Sequence, residues 1–148
     1  MPTTPTLNPQ IIGQAENALR AILNRALART GGSTYQQWVA LNLTAAGGGA
    51  IDRDQLVGRL TGALKIDESA AQAAIAELTT AQLLQALPGQ GSRVGLTDAG
   101  QARYRQIRTD LDQTNARLFG DLSADELATA GRVLSVITDR ANAELAAT

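Results

Sequence analysis

The stretch Leu60–Gly100 constrains the fold more than any other part of the chain. Leu60, Leu64 and Ile66, then Ile75 and Leu78, are apolar positions spaced for two short helices joined by a tight turn. Two strand-like runs follow, Leu83–Leu87 and Arg93–Thr97, separated by Pro88-Gly89-Gln90-Gly91-Ser92, a segment rich in turn formers. A helix-turn-helix followed by a β-hairpin is a winged helix, an arrangement that offers one helix to the DNA major groove. The helix in that position carries no Lys or Arg.

The flanking segments read as long helices. Met1–Thr6, with two prolines and three threonines, is expected to be a frayed tail. Asn8 is a good N-cap with Pro9 at the first helical position, and Ile12, Ala15, Leu19, Ile22 and Ala26 continue a helical stripe until Gly31-Gly32. Thr34 with Gln37, Asp52 with Gln55 and Ser123 with Glu126 have the spacing of capping boxes. They open helices through Trp38 to about Ala46, through Leu56 and Leu64, and through Leu127, Leu134, Ile137 and Leu145. Asp67 caps the fourth helix, which is expected to run to about Gln82, and Thr97 caps a polar fifth helix ending near Gly120. Gly47-Gly48-Gly49 is expected to be a flexible linker between helices, since a phosphate loop would need a following Lys-Ser/Thr and a preceding strand.

The expected class is therefore mainly α with a small β-hairpin wing: a winged lobe (34–97) between terminal helices (8–30 and 98–146), within one domain of residues 1–148. The terminal helices carry more apolar surface than so small a lobe can cover, so they are expected to pair with a second copy as a two-fold dimer. The alternative is that they close over their own lobe. With neither His nor Cys, the chain lacks the commonest general base, any disulfide and the usual transition-metal ligands. No enzyme, no metal site and no cofactor is expected. The carboxylate pairs Asp52/Asp54 and Asp67/Glu68 sit at helix starts, where favourable interaction with the macrodipole accounts for them. No apolar run approaches the ~20 residues of a membrane span, and no signal peptide is evident, so a cytoplasmic location is expected.

Three segments resemble the MarR family of bacterial winged-helix regulators. They are Thr34-Tyr35-Gln36-Gln37-Trp38-Val39-Ala40-Leu41, the set from Leu60-Thr61-Gly62-Ala63-Leu64 to Leu83-Leu84, and Arg93-Val94-Gly95-Leu96-Thr97-Asp98-Ala99-Gly100. The last is the most specific, matching the family's Leu-Thr-x-Ala-Gly entry to its fifth helix. The resemblance implies a homodimeric transcriptional regulator bound to a pseudo-palindromic operator in double-stranded DNA. Ser69, Ala70, Gln72, Ala73 and Ala74 would face or border the bases, and Arg93 would enter the minor groove. Gln72 alone among them has an amide suited to adenine. Family members usually have basic residues where Ala73 and Glu77 stand, an acidic partner for the wing arginine where Ser92 stands, and glycine where Gln82 stands.

The family often binds small aromatic acids, so Tyr35 and Trp38 could line a ligand pocket with Arg20 or Arg25 facing the carboxylate. The competing reading makes Trp38 a core side chain that joins the lobe to the first helix. Likewise Arg103, Arg105 and Arg108 either extend a phosphate-binding stripe or form a solvated helix face. From Ile51 to Thr97 four cations (Arg53, Arg59, Lys65, Arg93) meet five carboxylates (Asp52, Asp54, Asp67, Glu68, Glu77). Affinity for a duplex comes largely from neutralising phosphates, so binding is expected to be weak, with a shallow salt dependence. A second expectation follows: a dimer of the same fold that has lost DNA binding and serves as a ligand-binding or protein-interaction module.

Overall fold

The structure, a computed structural model, describes residues 4–147. Its elements run α1 (Pro9–Arg29), α2 (Tyr35–Ala46), β1 (Ala50–Asp52), α3 (Arg53–Leu64), α4 (Glu68–Thr80), β2 (Leu84–Ala86), β3 (Arg93–Leu96), α5 (Asp98–Phe119) and α6 (Ala124–Ala146). This is the expected mainly helical class with a small wing. The expected tail Met1–Thr6 lies partly outside the described residues, and residues 4–8 have no regular secondary structure. No helix among the described residues is long and apolar enough to cross a membrane.

Local chemistry sets the helix ends. The Asn8 side chain accepts from the Ile11 amide at 2.9 Å, and both halves of the Thr34/Gln37 and Ser123/Glu126 boxes form. Asp52 accepts from the amides of Asp54 and Gln55, and Asp67 from that of Ala70 at 2.7 Å. α4 stops at Thr80, two residues before the expected end. It closes with the Leu83 amide donating to the Leu78 carbonyl and the Gln82 amide to that of Thr79, which puts Gln82 at φ 62°. A glutamine thus sits in the left-handed position that glycine ordinarily fills at a helix end.

β1 was not anticipated. Gly47-Gly48-Gly49 ends α2, but it is no free linker: the Gly49 carbonyl accepts from the Leu96 amide at 2.9 Å, and the chain runs straight into a strand. β1 pairs antiparallel with β3 (Ala50 with Gly95, Ile51 with Val94, Asp52 with Arg93), and β3 pairs with β2, giving the order β1-β3-β2. Three residues bounded by glycines and a helix cap are too short to show strand alternation.

The chain divides into two compact units, Met1–Leu111 and Asp112–Thr148. The first holds the core. Leu41, Leu56, Leu60, Ile75, Leu78 and Leu84 are fully buried between α2, α3, α4 and the sheet, with Ile51 and Val94 closing it from the strands. A second cluster joins α1 to α2 and α5 through Ala26, Leu27, Trp38, Ile107 and Leu111. Arg29 reinforces it with a two-toothed bond to Asp110, at 2.7 and 3.3 Å. Gly100 is required where α5 starts, because a Cβ there would lie 2.0 Å from the Leu83 carbonyl oxygen. The second unit comprises the end of α5 and α6. α6 buries no residue, and Leu127, Leu134, Ile137 and Leu145 stand exposed along it.

Candidate nucleic-acid interface

α4 packs by Ala71, Ala74, Ile75 and Leu78, so the opposite side of the helix is open. Ser69, Ala73 and Ala76 are exposed there at helical spacing, while Ala70 and Gln72 are half-buried on its flanks. Ala74 does not border this face: it is 1% exposed and belongs to the core side of α4. Ala76 takes its place, one turn beyond Ala73. The open face is therefore small and uncharged, with one hydroxyl, able to meet a thymine methyl by contact but unable to neutralise a phosphate. At the α4 N-terminus the Asp67 carboxylate already occupies the Ala70 amide.

The two flanks of α4 are tied down. Glu77 accepts from the Gln37 side chain at 3.1 Å, joining α4 to the start of α2. On the other flank Arg53 donates from Nη2 to Oε1 of Gln72 at 3.0 Å. The backbone amide of Arg53, the first of α3, donates to the Ser92 carbonyl in the wing at 3.0 Å. Arg53 thus joins α3, α4 and the wing.

Arg93 is exposed at the start of β3, and its strand partner is Asp52. The Ser92 hydroxyl donates to Asp52 Oδ2 at 2.6 Å. This bond, the Gln55 and Asp54 amides and the Arg93 charge together hold the Asp52 carboxyl below its ordinary 3.8, against a smaller opposing effect of desolvation. The acidic neighbour of the wing arginine, which is missing at position 92, is supplied across the sheet by β1. From the sequence, Asp52 reads as a helix cap and a charge, and Arg53 as a charge. Once β1 is missed, no local signal points to either role.

The other candidates separate. Trp38 is buried and stacks on Tyr104, with ring centroids 5.7 Å apart, so it forms the joint between α1, α2 and α5. Tyr35 and Arg20 do come together, the Arg20 guanidinium lying 3.8 Å from the Tyr35 ring centroid while also pairing with Glu16. They line an open cleft of about 350 Å³ with Gln36, Leu64 and Ile66; Trp38 and Arg25 are not among its walls. Arg103 turns inward, its guanidinium lying over Gly31 and donating to the Ser33 hydroxyl, so it does not extend a stripe beside the wing.

The sequence matches no protein-family model and no curated protein. The fold has many relatives among solved structures. A MarR family transcriptional regulator from Silicibacter pomeroyi superposes with a TM-score of 0.75 at 21% identity, over 90% of this chain and 88% of that one. A cysteine-to-serine mutant of MarR from E. coli complexed with operator DNA gives 0.70 at 22% identity, over 86% and 91%. NadR in complex with 4-hydroxyphenylacetate gives 0.70 at 22%, over 93% and 98%. The chain has the winged-helix fold of these regulators along nearly its whole length.

Proposed function

We propose that this protein is a dimeric, DNA-binding transcriptional regulator of the MarR type. The observation that carries the reading is the lobe's two-part outer face, with an open side on α4 and an exposed arginine at the wing, in the fold that the E. coli regulator has in its operator complex. α4 would read the major groove through Ser69, Ala70, Gln72 and Ala73, with Ala76 extending that surface. Arg93 would enter the flanking minor groove, whose negative potential favours a guanidinium. The exposed apolar stripe of α6 and the exposed Leu7 and Leu19 near the N-terminus support pairing with a second copy. A two-fold dimer suited to successive major grooves sets its α4 helices about 34 Å apart. Fluorescence anisotropy against the promoter upstream of its own gene tests the reading, with sequence-preferring binding at low salt expected. Equal affinity for every duplex would sink it.

The cleft beside Tyr35 and Arg20 supports ligand control. NadR holds 4-hydroxyphenylacetate, a phenol with a carboxylate, and a ligand of that class would exchange Glu16 for its own carboxylate on Arg20. A rise in melting temperature with 4-hydroxyphenylacetate that Arg20→Ala removes is the expected result.

The second reading, a dimer of this fold without DNA binding, draws on α4 itself. Its open face has no cation, and Glu77 adds a carboxylate to one flank. Binding to no duplex at any salt concentration, with ligand-induced stabilisation intact, would favour it.

A further inference from the structure

Gln72 is the one side chain on α4 with an amide that can read a base edge, and its oxygen is engaged. Arg53 has only donors, so the amide must turn Oε1 toward it, which leaves Nε2 as the free end. An unattached glutamine reads adenine by accepting from N6 and donating to N7. Here Oε1 gives one of its two lone pairs to Arg53 and is turned toward that guanidinium. The pair then offers mostly donors: the two Nε2 hydrogens of Gln72 and the N–H groups of Arg53 beyond the one given to Oε1, against one lone pair left on that oxygen. Guanine shows two acceptors in the major groove, N7 and O6, and fits that set.

Arg53 is well placed to share in this. Its backbone is pinned to the Ser92 carbonyl of the wing, and it follows Asp52, the strand partner of Arg93. Half-buried and held at both ends, its guanidinium has little rotamer freedom left to lose on binding. It also brings a cation to a helix that has none.

Resting on the regulator reading above, we propose that Arg53 and Gln72 act as one donor-rich reading unit that selects guanine at one position of each half-site. Arg53 is the specificity-determining residue of the pair, because it draws the Gln72 oxygen toward itself and adds its own donors. Removing it frees Oε1 and restores the adenine pattern.

The test is selection of binding sites from a randomised duplex pool by the full chain, as wild type, Arg53→Ala and Arg53→Met, the methionine keeping the stem without the donors. Thermal melts verify that all three are folded. Wild type is expected to select guanine at one position per half-site, and both variants to move to adenine there, with affinity for the guanine site falling roughly tenfold. Adenine selected by the wild type at that position, or a preference unchanged in both variants, overturns the inference while leaving the regulator reading in place. If the wild type selects no sequence, the regulator reading itself falls, and this inference with it.

Discussion

α4 and the β1–β3 edge belong to the same lobe and divide its polar groups unequally. The open side of α4 presents Ser69, Ala73 and Ala76, with Glu68 and Glu77 as its only exposed charges, whereas the strand edge and the helix start beside it carry Asp52, Arg53, Ser92 and Arg93. Duplex affinity rises with the number of phosphates neutralised, while sequence is read at base edges. On the proposed reading, the wing edge supplies the electrostatic attraction and α4 supplies shape and methyl contact. Position on the recognition helix and possession of its charge are separable properties of a winged helix.

The largest expected effect comes from the buried side of α4. Ile75→Ala empties a fully buried position and should cost about 3 kcal/mol in urea unfolding, with duplex affinity lost only as folding is lost. On the open side, Ala73→Lys adds a cation where α4 has none. It should raise affinity for any duplex up to about tenfold at low salt and steepen the salt slope by about 1. No change in slope would mean that α4 does not face the duplex. Gln82→Gly relieves the left-handed glutamine at the end of α4 and should add about 1 kcal/mol of stability without altering the salt slope.

The smallest effect belongs to Asp52. Its carboxyl lies below its ordinary 3.8 in the folded chain, so the stability it contributes is fully present above 3.8 and is lost as pH falls through the depressed value. Asp52→Asn keeps a helix cap but removes the charge, and should flatten the acid limb of a stability–pH curve below about pH 4. An unchanged limb would mean that the Ser92 bond and Arg93 do not stabilise the carboxylate.

Much of this was legible in the residues. Asn8, Thr34, Asp67 and Ser123 marked their helix starts because a cap acts within three residues of itself. The hairpin and the Leu96–Gly100 entry to α5 were legible for the same local reason, although only the structure ties Gly100 to the Leu83 carbonyl. What escaped was set by long-range pairing. β1 is three residues long, and its strand character comes from Val94 and Gly95 across the sheet. Ser92 reaches Asp52, Arg53 reaches Gln72 and Arg29 reaches Asp110 over separations that no local pattern encodes. Trp38, open to two readings from its chemistry, is buried with Tyr104 of α5 stacked on it, a partner that no local pattern names.

On the proposed reading, the wing arginine carries the attraction that α4 lacks. Parallel salt titrations of wild type and Arg93→Ala on the promoter duplex measure that directly. Loss of tenfold or more in affinity at low salt, with the slope of log K against log salt shallower by about 1, is the predicted result. Equal affinity and equal slope for the two proteins would contradict it.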